Sequence, residues 1–239
     1  MTLDEILASL FPRGHDVSVS DGLIRGNGRL EGNSSIHVLG IAEESALGVD
    51  GALILARRVL DIVRSGDGLP ILVLIDSSSQ RMSRRDELLG LNEYLAHLAK
   101  ALLLAERQGH RTVGLLYGGS AAGAFIATAL ATGTLAALPG AHPAVMDLPS
   151  MARVTKLSID DLKAKAKATP VFAPGLDNLA QTGAIHVVWD PAKSLADQLA
   201  AVLSEPATQD TRDQLGADRG GRPKAKAIAA RVATRASHG

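Results

Sequence analysis

The chain has 239 residues, of which 46% are hydrophobic and 21% charged, as in one large or two small globular domains. Its 25 basic and 25 acidic residues cancel, and only 3% of residues are aromatic, so the composition does not favour a nucleic-acid partner. Cysteine is absent, which excludes thiol catalysis, disulfides and cysteine-ligated zinc. We expect neither nucleic acid nor a metal site.

Two further features concern the location of the protein. The first five residues carry neither the basic start nor the apolar core of a signal peptide, so we expect a cytoplasmic protein. The stretch 112–146 lacks Asp, Glu, Lys and Arg, but several glycines and Pro139 interrupt it. A transmembrane helix needs about 20 consecutive apolar residues. We therefore interpret this stretch as a buried strand–helix–strand core and expect no membrane partner.

In the first half of the chain, helical and strand patterns alternate. Pro12 ends a short amphipathic helix, and the Asp21-Gly22 step predicts a hairpin. The apolar run 69–76 predicts a strand buried on both faces, followed by a polar loop where α/β proteins place ligands. The predicted elements are a helix over 1–12, hairpin strands over 16–22 and 23–28, a strand over 35–41, a helix over 50–64 with Asp50 as N-cap, a strand over 69–76 and a helix over 85–108.

The second half begins with an apolar strand and a glycine turn, and the chain then becomes more helical. The predicted elements are a strand over 112–117, a helix over 121–131, strands over 134–138 and 144–146, helices from 149, over 159–166 and over 175–181, a strand over 184–189 and a helix over 191–203. Polar residues 204–221 predict a linker or a draped loop, and the basic stretch 222–235 predicts a surface helix or tail. We therefore divide the chain into one domain, 1–205, and a C-terminal extension, 206–239.

The glycine turn 118–123 is the strongest candidate for chemistry. A strand, a glycine turn and a helix leave free backbone N–H groups, which suit an anion or a developing oxyanion. The spacing fits neither a dinucleotide fingerprint nor a lysine-containing phosphate loop. A nucleophile elbow, G-x-S-x-G, is missed by one residue, because Ala122 stands at its last position. A tight turn without chemistry remains an alternative.

The order of several motifs resembles that of a known family. The motifs are Gly51-Ala-Leu, Leu69 to Asp76, Glu87-Leu-Leu-Gly-Leu91, Tyr117-Gly-Gly-Ser-Ala-Ala-Gly123, Leu135 to Ala141, Ala144-Val-Met146 and Leu215 to Arg222. Together they resemble the carboxyltransferase branch of the crotonase-like superfamily, and within it the gamma subunits of biotin-independent malonate decarboxylase. The resemblance implies an α/β fold of the ClpP/crotonase type, a β-β-α superhelix in a single carboxyltransferase-type domain.

Two departures separate this chain from the biotin-dependent relatives, which usually carry a glycine-richer turn. Ala121 and Ala122 replace glycines that follow the serine, and Ser77-Ser-Ser-Gln80 replaces a loop that usually contains proline and glycine. These differences favour the biotin-independent enzyme.

The resemblance also implies a reaction and a set of partners. With a homologous beta subunit, the chain would decarboxylate malonyl-S-acyl carrier protein to acetyl-S-acyl carrier protein and CO2, through a thioester enolate held in a backbone oxyanion hole. The alpha subunit and the acyl carrier protein, or delta subunit, complete the complex. This chain would bind no cofactor of its own, and the CoA-like prosthetic arm of the carrier protein would enter the site.

The expected site has two parts. The catalytic turn consists of Gly118, Gly119, Ser120, Ala121, Ala122 and Gly123, which would supply the oxyanion donors. Crotonase-like folds commonly take a second donor from an earlier loop, here Ser45, Ala46 and Leu47. The side chains expected to contact substrate are those of Tyr117, Ser77, Ser78 and Gln80.

Three alternatives remain at this point. The chain could be a scaffold subunit without catalytic residues, or a subunit of a biotin-dependent acyl-CoA carboxyltransferase. It could also be an esterase with Ser120 as nucleophile, Asp147 as acid and His186 as base, because the chain order Ser, Asp, His fits an α/β-hydrolase. An enoyl hydratase is disfavoured, since no paired glutamates occupy the expected loops.

Overall fold

A computed structural model describes residues 1–205, 210–222 and 224–237. The strands are β1 Ser18–Ser20, β2 Leu23–Arg29, β3 Ser35–Ile41, β4 Ile71–Ile75, β5 Thr112–Leu116, β6 Gly119–Ala121, β7 Thr134–Ala137, β8 His142–Ala144 and β9 Val187–Val188. The helices are α1 Leu3–Leu10, α2 Val49–Ser65, α3 Arg84–Leu88, α4 Leu91–Arg107, α5 Ala122–Thr128, α6 Leu148–Thr155, α7 Ile159–Ala166, α8 Leu176–Gln181, α9 Leu195–Ser204, α10 Arg212–Asp218 and α11 Ala225–Ala236. The predicted boundary between 205 and 206 adjoins residues 206–209, outside the described part, and stays a prediction.

A seven-stranded mixed sheet forms the centre, in the order β1-β2-β3-β4-β5-β7-β9. The hairpin β1–β2 joins β3 in antiparallel fashion, and all later pairings are parallel. Ile41, Ile75 and Leu116 are aligned across β3, β4 and β5. The loops that follow these three strands therefore emerge together at one edge of the sheet, where α/β folds place ligands. A separate parallel pair, β6–β8, stands beyond that edge.

Helices cover both faces of the sheet, so the core has two layers. One layer contains apolar side chains of α2, α4 and α5, and the other contains those of α1 and α9. All five residues of β4 are buried, as its continuous apolar run predicts for a strand covered on both faces. The described residues of α11 are exposed, in agreement with the predicted basic surface helix.

Several boundaries differ from the sequence predictions for identifiable reasons. Gly48, not Asp50, is the N-cap of α2, and the Asp50 carboxylate instead accepts two hydrogen bonds from Arg85, at 2.7 and 3.1 Å. The long helix expected over 85–108 is two helices, because Gly90 adopts a left-handed conformation with φ 81°. The fixed geometry of this break holds α3 beside the start of α4.

Other differences concern the C-terminal half. β8 lies two residues earlier than expected, β9 is shorter, and α9 starts at Leu195 rather than 191. The expected linker 204–221 contains α10, which is followed by Arg219. The Arg219 guanidinium donates hydrogen bonds to the carbonyl oxygens of Ala180 and Ile185, both at 2.7 Å. Charge-assisted bonds of this kind explain how a polar stretch packs against the domain.

The closest backbone approach within the sheet occurs at Gly40 of β3. Its φ of +153° is a conformation that only glycine adopts readily, and a Cβ at this position would overlap the carbonyl oxygen of Leu74 in β4. Because β3 and β4 are central, this contact cannot relax without separating the strands that carry the loops of the upper edge.

We expect Gly40→Ala to lower the free energy of unfolding by about 3 kcal/mol or more, through overlap with a backbone atom in a packed core. Gly66→Ala is the matched control, since Gly66 also has positive φ but a Cβ there meets nothing within 4 Å. The control should lose only about 1 kcal/mol. Urea denaturation of both variants checks this, and equal losses would contradict the assigned cause.

Candidate active site

Three loops meet where β3, β4 and β5 end. They are 42–48, 76–80 and the glycine turn that leads through β6 into α5. The residues predicted for the site all lie here: Ser45, Ala46 and Leu47 in the first loop, Ser77, Ser78 and Gln80 in the second, and Tyr117, Gly118, Gly119, Ser120, Ala121, Ala122 and Gly123 in the third. The aligned strand ends thus bring together segments that are far apart in the sequence.

The Asp76 carboxylate connects the three loops. Its Oδ1 accepts a hydrogen bond from the Gly119 amide at 3.0 Å, and its Oδ2 accepts one from the Glu44 amide at 3.3 Å. The carboxylate approaches so closely that a Cβ on Gly118 would overlap it. Sequence reasoning did not select Asp76, although its position after a buried strand is typical of functional residues. Its partner on the turn is 43 residues away and carries no sequence signature.

Gln80 forms the second connection. Its side-chain Oε1 accepts the amide proton of Gly123 at the start of α5. Backbone bonds on either side of it hold the first loop, since Leu47 N donates to Ser79 O and Arg81 N donates to Leu47 O, both at 2.9 Å. The first loop and the start of α5 are therefore fixed relative to each other through one residue.

These contacts leave two amides of the predicted site without an acceptor. Among the described residues, none accepts the amide proton of Ala46. The Ala122 amide is directed toward the carbonyl oxygen of Ala144 by the parallel pairing of β6 with β8. The parallel register of β6 with β8 turns the Ala121 amide away from β8, and no described residue outside that ladder accepts it. Ala46 and Ala121 are both partly exposed. Free donors at an open surface can bind an oxyanion.

Backbone strain is concentrated at the same place. Of the five described non-glycine residues with positive φ, three belong to the site: Glu43 at 62°, Glu44 at 49° and Ala122 at 51°. Such conformations cost about 1–3 kcal/mol each and persist where the surroundings enforce them. The hydrogen bonds that Asp76 and Gln80 accept hold the loops in these conformations. The contacts that join the loops therefore also explain the backbone strain.

Several predicted side chains face the interior. Ser77 and Ser120 are buried, with their hydroxyl oxygens 3.4 Å apart, and Leu47 is also buried. The Ser77 side chain, which we expected to contact substrate, is therefore directed into the interior, and the Leu47 amide already donates to Ser79 O. The Tyr117 hydroxyl donates to Ile41 O at 3.3 Å. Burial, with smaller effects from the negative charges of Asp76 and Glu43, raises the pKa of the Tyr117 phenol, which is therefore neutral.

The esterase triad is not assembled. Asp147 is the N-cap of α6, where its Oδ1 accepts the Ser150 amide proton at 2.7 Å. His186 Nδ1 accepts the amide proton of Leu135 at 3.0 Å, at the beginning of β7 and hence at the opposite edge of the sheet from Ser120. The alternative of an esterase with Ser120 as nucleophile and His186 as base is therefore wrong. The order Ser, Asp, His along the chain fits an α/β-hydrolase, but it does not bring these residues to the same edge of the sheet.

The described residues contain neither a metal-binding cluster nor a membrane-spanning helix. Within 1–205, 210–222 and 224–237, no three His, Asp or Glu residues are grouped as a metal ion would require. No helix in the described part of the chain combines the length and apolar character needed to cross a membrane.

The sheet order and the amide-lined turn define a protein of the crotonase-like carboxyltransferase fold, and solved structures support this class. The chain is similar to one in a Pseudomonas malonate decarboxylase hetero-tetramer solved with coenzyme A, with a TM-score of 0.76, 23% identity and 98% of each chain covered. It is also similar to a chain of the Pseudomonas MdcD–MdcE hetero-dimer, with a TM-score of 0.71, 24% identity and 97% of each chain covered. The transcarboxylase 12S core gives a TM-score of 0.69 at 18% identity, over 84% of this chain and 39% of that one.

The family model of the malonate decarboxylase gamma subunit matches residues 42–236. This chain belongs to the malonate decarboxylase gamma subunit family, as the order of its motifs predicts. A further relative is the malonyl-S-ACP:biotin-protein carboxyltransferase MADD of Malonomonas rubra, 31% identical over 120 residues. That alignment covers 49% of this chain and 41% of the relative, so the chain spans less than half of that protein.

The environment of His186 generates a pH-dependent stability. Burial, followed by the positive charge of Arg212, lowers the pKa of His186. The unfolded chain therefore binds this proton more readily than the folded chain, and stability falls as pH drops through the unfolded value of about 6.5 toward the lower folded pKa. The contribution is fully present above that range.

We expect His186→Gln to reduce the loss of unfolding free energy between about pH 7 and pH 5, because glutamine does not titrate there. Denaturant unfolding at stepped pH measures the difference from wild type. His97→Gln, at an exposed position on α4, is the control. An unchanged pH slope in His186→Gln would contradict the assigned cause.

Proposed function

We propose that this chain is the gamma subunit of a biotin-independent malonate decarboxylase, which acts with a beta subunit to convert malonyl-S-acyl carrier protein to acetyl-S-acyl carrier protein and CO2. The observation that carries the proposal is the pair of acceptor-free amides of Ala46 and Ala121 at the open edge of the sheet. Membership in the gamma subunit family supports the choice of substrate.

The reaction needs little side-chain chemistry. When the bond between the carboxylate carbon and the α-carbon breaks, its electron pair moves toward the thioester oxygen and CO2 departs. Fixed N–H donors aimed at that oxygen stabilise the developing enolate, and one such donor contributes about 10²–10³ in rate. Decarboxylation creates the carbanion without a base, so the site needs donors, a pocket for the carboxylate and a proton source.

Rigidity of the donors is the contribution of Asp76 and Gln80. Both side chains accept amides close to the free Ala121 amide, because Gly119 precedes Ala121 by two residues and Gly123 follows it by two. Donors held in place before the reaction cost no reorganisation when charge develops. Side chains that touch no substrate thereby determine the strength of the oxyanion site.

A partner subunit would complete the site. The free amides are open to solvent, and large apolar side chains near the turn are exposed, including Met82 at 81% and Ile126 on α5 at 49%. Exposed apolar surface of this kind is typical of protein–protein contacts. The solved Pseudomonas relative is an MdcD–MdcE hetero-dimer. We assign this surface, together with α4 and α5, as the contact with a beta subunit. The alpha subunit and the carrier protein would belong to the larger complex.

The CoA-like arm of the carrier protein would bring the malonyl group to the turn, and this chain would hold no cofactor of its own. A related Pseudomonas hetero-tetramer was solved in complex with coenzyme A, which supports an arm of that chemistry. Similarity to MADD favours a second candidate function, carboxyl transfer from malonyl-S-ACP to a biotin protein. Alanines at 121 and 122, in place of glycines, favour the biotin-independent reaction.

The first test compares this chain alone, its beta partner alone and the two co-expressed. We expect release of CO2 from malonyl-S-acyl carrier protein only by the pair, with no effect of avidin. Avidin-sensitive turnover would select the biotin-dependent alternative. Full activity of the partner alone would reduce this chain to a scaffold, and no activity in any combination would contradict the proposed function.

The second test removes one support of the turn. Gln80→Leu keeps the side-chain size but leaves the Gly123 amide without its acceptor. We expect kcat of the pair to fall about tenfold, the equivalent of one hydrogen bond of about 1.4 kcal/mol, with a smaller change in KM. Gln108→Leu, the same change at an exposed position after α4, should retain wild-type kcat. Equal rates in both variants, with complexes intact by gel filtration, would remove Gln80 from the mechanism.

A further inference from the structure

A histidine that sequence reasoning did not select lies against the glycine turn. His142 opens β8 and is paired in register with Gly119 of β6. Its amide donates to Gly118 O at 3.1 Å, which fixes its backbone to the turn. A Cβ built on Gly119 would lie 2.9 Å from His142 Nε2. The imidazole therefore lies over the bare α-carbon of Gly119.

The reactive nitrogen of this ring is free. His142 is exposed, its Nδ1 is 3.4 Å from Gly140 O, and no described residue forms a hydrogen bond with its Nε2. Alternation along paired strands places His142 and Ala121 on the same face of the β6–β8 pair, as diagonal neighbours. Such neighbours are about 7–8 Å apart, within reach of a ring side chain. The ring and the Ala121 side chain thus stand on the same face of the pair, beside the turn.

Other proton donors beside the turn are already engaged. The Ser77 and Ser120 hydroxyls are buried against each other. Tyr117 donates to a backbone carbonyl, and its pKa is raised by burial, so it is a poor acid near neutral pH. Asp76 accepts two amide protons. His142, by contrast, is exposed and its Nε2 lies against Gly119 of the turn.

We propose that protonated His142 delivers the proton that converts the thioester enolate into the acetyl product. This inference rests on the proposed decarboxylation and names its proton donor. After CO2 has left, the enolate re-forms its carbonyl, the α-carbon takes the proton from Nε2, and a C–H bond forms as the N–H bond breaks. The imidazole becomes neutral and regains a proton from water. One malonyl thioester anion and one proton thereby give CO2 and one acetyl thioester.

The experiment uses the co-expressed complex of this chain and its beta partner. Decarboxylation by the wild type is measured first, and its absence would overturn both this inference and the proposed function. The complex is then incubated with acetyl thioester in D2O, and exchange of the α-hydrogens is followed by mass spectrometry. Exchange requires removal of an α-proton and its replacement by a deuteron, which is the protonation step in both directions. Its rate therefore depends on the group that donates the proton.

We expect His142→Gln to lower the exchange rate by about 10²-fold or more, the range of general acid–base catalysis. KM should stay near that of the wild type, and free imidazole should restore part of the exchange in His142→Ala. His15→Gln, at an exposed position beside β2 and outside the surface assigned to the beta subunit, should exchange like the wild type. Wild-type exchange in His142→Gln, in a complex that decarboxylates, would overturn the assignment and leave the proposed function standing.

A measurement on the unmodified complex covers the case in which the His142 variants fail to assemble. A bromoacetyl thioester presents an electrophilic α-carbon where the enolate carbon lies. Alkylation of His142, located by peptide mass spectrometry and prevented by malonyl thioester, supports the assignment. Alkylation of another residue alone, or of none, would overturn it.

Discussion

The two hydrogen bonds accepted by the Asp76 carboxylate are the contacts on which the candidate site depends. They join the loop after β3 to the turn after β5, through a residue at the end of the strand between them. Parallel strands bring their ends to one edge but do not fix the loops that follow. A carboxylate between two amides does, because it accepts one directional hydrogen bond from each loop.

Around Asp76, the groups that hold the turn in place differ from the groups to which we assign its chemistry. The supports are buried or engaged side chains, such as the Ser77–Ser120 pair and Gln80. The chemistry is assigned to backbone amides and to one histidine at the rim.

The alanines at 121 and 122 illustrate how the turn differs from a glycine-rich one. Ala122 keeps a positive φ of 51° despite its Cβ, so the surrounding contacts must hold it there. The turn that carries the free Ala121 amide is therefore a strained, fixed segment rather than a flexible one. The proposed donors are backbone amides, which almost any residue supplies, so they would leave no side-chain motif in the sequence.

The sequence by itself determined the order of the elements, the two-sided burial of β4, the glycine turn and the family. These follow from local periodicity and from motifs that stand in one order along the chain. The sequence did not determine the break at Gly90, the helix α10, the interior direction of Ser77 or the separation of Ser120 from His186. Only the tertiary structure decided that Asp76 holds the turn and that His142 lies over Gly119, because both contacts join residues that meet through the sheet register, and single-residue patterns do not encode register across distant strands.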